Sequence, residues 1–292
     1  MATRDAVIRP APAGAGGRSQ LLEQVVQAEG ARARRARLTT LGGRLAFGAL
    51  FFLGWELGSG RIVDQFFVSR PSAIVASLWA MITREALFYH LQFTIVEAAV
   101  GYLIGAGAGL ILGFGLARLE AVYRVVEPFV IAFYGIPRIA LAPLFILWFG
   151  IGITSKIAVA AVMVFFIVLI NTVVGVRATP PQLLAVARVM GASEWDLVRK
   201  VVFPAATPFI IAALQITVPQ AMIGAIVGEF ISSNRGVGHL ISRAAGWLDT
   251  PGLFAGIGAL LVVVLVMNFG INLLGAHLMR WNPQAGKARD VP

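Results

Sequence analysis

The sequence predicts an all-α membrane protein with six transmembrane helices. Of its 292 residues, 58% are hydrophobic and only 13% charged, with a mean hydropathy of +0.83. Soluble domains sit near ~45–50% apolar and ~25% charged. Six segments, 43–60, 93–117, 126–150, 156–176, 207–230 and 252–279, have about the 20 mostly apolar residues that a crossing helix needs. Backbone groups in lipid must be hydrogen-bonded within their own segment, and the ten-residue alternation of a membrane barrel is absent, so the segments are helices.

Residues 1–42 read as a basic, largely disordered tail. Pro10, Pro12 and the Gly/Ala-rich run to Gly17 break any regular pattern, and Arg32, Arg34, Arg35 and Arg37 close it. It has no apolar core, so it is not a signal peptide. A short amphipathic helix is expected from Gln20 to about Ala28, with Leu21, Leu22, Val25 and Val26 on one side. After the first span, Ser69-Arg-Pro-Ser72 precedes an apolar-periodic stretch over 73–82, expected as a short helix along the membrane interface. Glu56 and Glu97 read as structural.

In the second span Gly101, Gly105, Gly109 and Gly113 recur every fourth residue, with Gly107 inside the series and Gly115 just after it. Small residues at that spacing let helix backbones approach closely, which places this span at the centre of a bundle. The third span carries Arg138 directly after Pro137. With both termini inside, 17 of the 24 basic residues fall in inner loops and tails and 6 outside, Lys156 among the latter, with Arg138 left in a span. That imbalance orients the chain N-in and C-in.

The segment 177–206 is too polar to cross. Thr179 is positioned to cap a helix opened by Pro180 and Pro181, with Leu183, Val186, Ala187 and Met190 on one face. Gly191 falls where a left-handed residue ends that helix. Ser193, with Asp196 three residues on, caps a second helix, and Pro204 is expected to stop it. Ala185, Ala187 and Ala192 keep the face small enough for another surface to approach. The result is an inward-facing knob on which something docks. Gly236 and Gly238 suit a turn before an outer helix from about His239; the tail 281–292 ends the chain.

Composition also excludes. Without cysteine there is no disulfide, thiolate metal site or thiol nucleophile, and His90, His239 and His277 are too scattered for a histidine metal site. No catalytic cluster is evident. The net charge of +10 reflects basic loops facing anionic lipid rather than nucleic acid. No G-x-x-x-x-G-K-[ST] phosphate loop exists: Lys156, Lys200 and Lys287 all lack that context.

The knob carries Ala185-Val186-Ala187, three residues, Gly191, nine residues, Val201, one residue, then Phe203-Pro204. This resembles the coupling loop of ABC-importer permeases, Glu-Ala-Ala, x3, Gly, x9, Ile-x-Leu-Pro. Further stretches resemble the sulfonate/taurine/nitrate group of type I importer permeases: Ser69-Arg-Pro-Ser72, Gly101 to Gly109, Pro137 to Gly152, Asn171 to Arg177, and Gly228 to Gly238. Ala185 stands where the family has Glu, removing one ion pair at an ATPase surface.

The resemblance implies a permease domain over 43–280 in a bacterial inner membrane, without its own ATPase site. It implies a cytoplasmic ABC ATPase dimer that binds ATP and magnesium, an extracytoplasmic solute-binding protein, and a second permease copy to supply a second coupling loop. Ala185, Ala187, Met190, Gly191, Ala192, Ser193 and Pro204 would make the ATPase contact. Candidates for the pathway are Arg138, Asn171, Gln215, Gln220 and Glu229. Arg138 either meets an anionic substrate, forms a buried pair with Glu127 or Glu97, or sits close to a water-filled lumen; the amides either line the path or join helices. Glu229 is either a gate or binding-protein contact, or a tie to the turn after it. An ion-gradient-driven secondary transporter is the alternative, and it leaves the knob unexplained.

Overall fold

The computed structural model describes residues 38–279. The expected tail helix at 20–28 and the final tail lie outside them, as does most of the N-terminal tail. Two units are distinguished, with the boundary between Trp55 and Glu56. The first contributes helical residues 38–55, most of α1 (Leu38–Gly58).

The second unit is helical throughout. It holds α2 (Gln65–Val68), α3 (Pro71–Arg84), α4 (Leu87–Arg118), α5 (Glu120–Gly135), a 3-10 turn (Arg138–Leu141), α6 (Ala142–Phe149) and α7 (Ile153–Arg177). Then follow α8 (Pro181–Val189), α9 (Glu194–Leu197), a π turn (Val198–Val202), α10 (Phe203–Ser232), α11 (Val237–Gly246) and α12 (Thr250–Leu278). Among the described residues, five helices are long and apolar enough to cross a membrane, and a sharply bent helix pair makes six when counted as one span.

That pair corrects the third expected span. Glu120–Gly135 and Arg138–Phe149 meet at 86°. Pro137 offers no N–H and forces the residue before it out of helical geometry, and Ile136 is accordingly extended at φ −66°, ψ 135°. Arg138 therefore sits at a corner, not within a straight span.

The core is a slab of α4, α7 and α10. A β-carbon built on Gly101 would lie 2.5 Å from Ala160 Cβ; on Gly109, 2.8 Å from the Phe165 carbonyl; on Gly113, 2.7 Å from Thr172 Cβ. Gly105 abuts the Ala161 carbonyl even more closely. The glycine ridge thus seats α4 on the backbone of α7, while Gly107 and Gly115 face open space. From the other side, a β-carbon on Gly224 of α10 would come within 2.6 Å of Ala160 Cα. Helices this close gain dense van der Waals packing, which drives association where lipid supplies no hydrophobic difference. Tyr102 Oη also donates to the Leu214 carbonyl at 2.9 Å, joining α4 to α10.

The interfacial helix expected over 73–82 is α3. Glu56 caps it, accepting from the Ser72 N–H at 3.0 Å and the Ser72 hydroxyl at 2.7 Å. Met81 is buried, with Ile74, Leu78 and Ile82 packed on the same apolar cluster as residues of α11 and α12. α11 starts at Val237, two residues before the expected His239.

Candidate functional site

The helical loop between α7 and α10 is rigid for reasons visible in its sequence. α8 ends in a left-handed Gly191 at φ +82°. The Gly191 N–H reaches the Arg188 carbonyl at 2.9 Å and the Ala192 N–H reaches Ala187 at 3.0 Å, the paired bonds of a Schellman stop. Ser193 and Asp196 then form a reciprocal capping box. The Asp196 carboxyl is held down to about 2, first by the Lys200 ammonium and then by the Ser193 hydroxyl. Glu194 accepts from Arg118 at 2.7 Å and Arg188 at 3.4 Å.

Two expectations here are corrected. Thr179 does not cap α8: Pro180 holds that position without a side-chain bond, and the buried Thr179 hydroxyl has no partner. Pro204 does not stop the second helix, because Glu194–Ser232 runs on for 39 residues. The widened turn at Val198–Val202, with the Phe203 N–H bonded to the Val198 carbonyl, absorbs the proline's missing donor. At ~1.5 Å per residue such a helix outreaches a hydrocarbon core of ~30 Å, and its charged first turns project beyond the membrane.

What the loop presents is apolar. Val189 is 89% and Met190 81% exposed, and Leu183, Val186 and Trp195 are also exposed. Leu184, the fully buried Leu197 and Val202 turn inward. Ala185 and Ser193 are exposed, and Ala187, Ala192 and Pro204 are half-buried. A water-solvated hairpin would reverse this pattern; exposed apolar side chains on a stiff projection mark a contact surface.

The pathway candidates are not gathered in one place. Arg138 donates to the Met163 carbonyl at 3.0 Å and stacks over Tyr134 at 5.0 Å, pinning the corner to α7; among the described residues it pairs with neither Glu127 nor Glu97. Asn171 donates back to the Ile167 carbonyl at 2.8 Å. Gln215 joins α10 to α12 by donating to Asn272 at 2.6 Å. Gln220 is half-buried on α10.

Glu229 is 1% exposed. It accepts from Thr94 Oγ1 at 2.6 Å and from the Gly238 N–H at 2.5 Å, while Thr94 accepts from the Val237 N–H at 2.8 Å. The carboxylate sits at the N-terminus of α11, where free amides favour negative charge. Any side chain at Gly236 or Gly238 would collide with it. These glycines are the cradle of Glu229, beyond serving a turn.

Sequence reasoning missed its neighbour. Lys156, assigned to an outer loop, is 5% exposed in the first turn of α7. Its Nζ lies 3.3 Å from Glu97 Oε1 and donates to Ser233 Oγ at 2.8 Å. Gly228 leaves room for its stem. The available signal was two opposite charges at the same ends of neighbouring spans. Beside this pair opens a cavity of about 610 Å³, bounded by Phe93, Glu97, Ile153, Lys156, Ser232 and Arg235 among others. It lies at the end of α7 away from the helical loop.

Residues 101–281 match the family described as binding-protein-dependent transport system inner membrane component. The chain is 36% identical over 235 residues to the riboflavin transport system permease protein RibX of Chloroflexus aurantiacus, covering 80% of this chain and 87% of that protein. It is 35% identical over 230 residues to SsuC of Bacillus subtilis, a permease named for aliphatic sulfonates, covering 78% and 83%. In fold it is similar to the inward-facing MetNI methionine ABC transporter, with a TM-score of 0.51 and 22% identity over 71% of this chain and 97% of that one. The chain therefore belongs to the binding-protein-dependent transport system inner membrane components, the permease subunits of type I ABC importers.

Proposed function

We propose that two copies of this permease form the pathway of an ATP-driven importer of a small organic anion, delivered by an extracytoplasmic binding protein. A separate cytoplasmic ATPase dimer holds ATP and magnesium and docks on the helical loops, with both chain ends on the same side. The observation that carries this reading is the exposed apolar face of Val186, Val189, Met190 and Trp195 on a loop stiffened at Gly191 and Ser193. ATP binding draws the two ATPases together and the loops with them. Each loop continues directly into α10, and the glycine seams make α4, α7 and α10 move as one body, so the pathway reopens on the other face. Hydrolysis resets it.

The anionic substrate class is supported by the relative named for sulfonates and by cationic side chains at the corner and the cavity. Glu229 and Gln215 serve in this account by holding helices in register, Asn171 by a bond back within α7, and Arg138 by fixing the corner beside the path.

The test is uptake into proteoliposomes containing permease, ATPase and binding protein. Uptake is expected to require internal ATP and to persist when the proton gradient is collapsed. Uptake that ignores ATP and stops with the gradient would establish the secondary-transporter alternative instead.

A further inference from the structure

The cavity away from the helical loop has an uneven charge balance. Glu97 is matched by Lys156. Glu229 is matched by Thr94 and the first amides of α11. Arg235, which also lines the cavity, is matched by nothing: among the described residues no carboxylate pairs with it. Its guanidinium lies over the Phe93 ring at 5.2 Å, a stack that uses its face and leaves the edge with its N–H fork unspent.

The turn beneath Arg235 is fixed. The Ser233 hydroxyl donates to the Arg235 carbonyl at 2.6 Å and accepts from the Arg235 N–H at 3.2 Å. The same hydroxyl accepts from Lys156, so the arginine's backbone is tied to the buried ion pair. A second, independent feature is Ser232, another lining residue, whose hydroxyl is buried with no hydrogen-bond partner. A buried hydroxyl costs free energy until something bonds to it. Lys156, bonded to Glu97 and Ser233, has one N–H beyond those two contacts.

We infer that this cavity is a reception site for the anionic head group, sulfonate or carboxylate, of the transported solute, held by the Arg235 fork and completed by the Ser232 hydroxyl. Phe93, Ile151 and Ile153 supply an apolar wall for the short carbon chain behind the head group. A guanidinium fork fits a planar carboxylate or one face of a sulfonate with two parallel bonds. The site lies on the face that receives solute from the binding protein, so it accepts the anion on release. This rests on the importer reading above.

The test is calorimetric titration of the permease–ATPase complex in nanodiscs with taurine, methanesulfonate and, as a probe without an anionic group, ethylamine. Taurine and methanesulfonate are expected to bind saturably and ethylamine not at all. Arg235→Gln is expected to weaken both anions by about tenfold or more, Ser232→Ala by several-fold, and Arg235→Lys less than Arg235→Gln. Arg84→Gln, a change at another exposed arginine, is expected to leave them unchanged.

The inference is overturned if neither anion binds the unaltered complex, if Arg235→Gln binds them as tightly, or if Arg84→Gln weakens them equally. The same preparations separate the two readings. Absence of ATP-dependent uptake removes the importer reading. Intact uptake with the same half-saturating taurine in Arg235→Gln removes only the reception site.

Discussion

Arg118, in the last turn of α4, donates to Glu194, the first residue of α9, at 2.7 Å. One end of the glycine-packed slab is thereby tied to the projecting loop from which α10 emerges. The pair is partly exposed, so it adds little to stability, ~0–1 kcal/mol. Its consequence is geometric: the loop meets the slab at α4 as well as through the chain. The guanidinium of Arg177 over Tyr123, at 4.0 Å, makes a similar tie between α7 and α5.

Gly191→Pro tests the loop's rigidity. Proline fixes φ near −65° and has no N–H, whereas Gly191 sits at +82°, has open space where a side chain would project, and donates its N–H to the Arg188 carbonyl. The expected outcome is normal insertion and yield, with ATP hydrolysis continuing while uptake falls about tenfold or more. Uptake equal to the unaltered protein would remove the loop from the mechanism. Gly191→Ala should be milder, at about 1–2 kcal/mol of local strain.

Gly105→Ala and Gly107→Ala separate packing from helix propensity. A methyl at Gly105 drives into the Ala161 carbonyl, and at Gly107 it meets nothing within 4 Å. The first is expected to destabilise by about 1–3 kcal/mol and the second to be neutral or slightly stabilising. Thermal unfolding in detergent reads the difference; equal midpoints would contradict the α4–α7 seam.

Lys156→Met should be strongly destabilising because it strands the buried Glu97. Breaking a buried pair from one side costs ~3–5 kcal/mol, while replacing both members is often nearly neutral. Lys156→Met combined with Glu97→Leu is therefore expected to recover most of the loss in a thermal-unfolding cycle. A double variant no better than the single would show that the pair is not an isolated unit.

Much of this was legible in the sequence because it depends on local chemistry. The four-residue glycine spacing gave the α4 seam, and Gly191 and Ser193 gave the loop's stops and starts, since left-handed backbone and capping are properties of single residues. The corner at Pro137 was hidden because a hydropathy window averages across a kink. Pro204 misled because a proline ends a helix only when no wider turn absorbs it, and that turn is set by tertiary packing. Lys156 looked like a loop residue because its partner, Glu97, lies in another span and pairing across spans is invisible to periodicity. The loop's apolar face was read correctly as one face, but that it points away from the bundle, with Leu184 inward instead, required the three-dimensional structure.

The central claim is that the exposed apolar face of the helical loop carries force from a separate ATPase into the slab. The most direct measurement is ATP-driven uptake, with recovery of the ATPase on tagged permease, for a variant combining Val189→Asp and Met190→Asp. Both side chains are solvent-facing, so insertion and thermal stability should be unchanged. The account predicts that the ATPase no longer co-purifies and that ATP-driven uptake is lost. Full uptake with the ATPase still bound would contradict it.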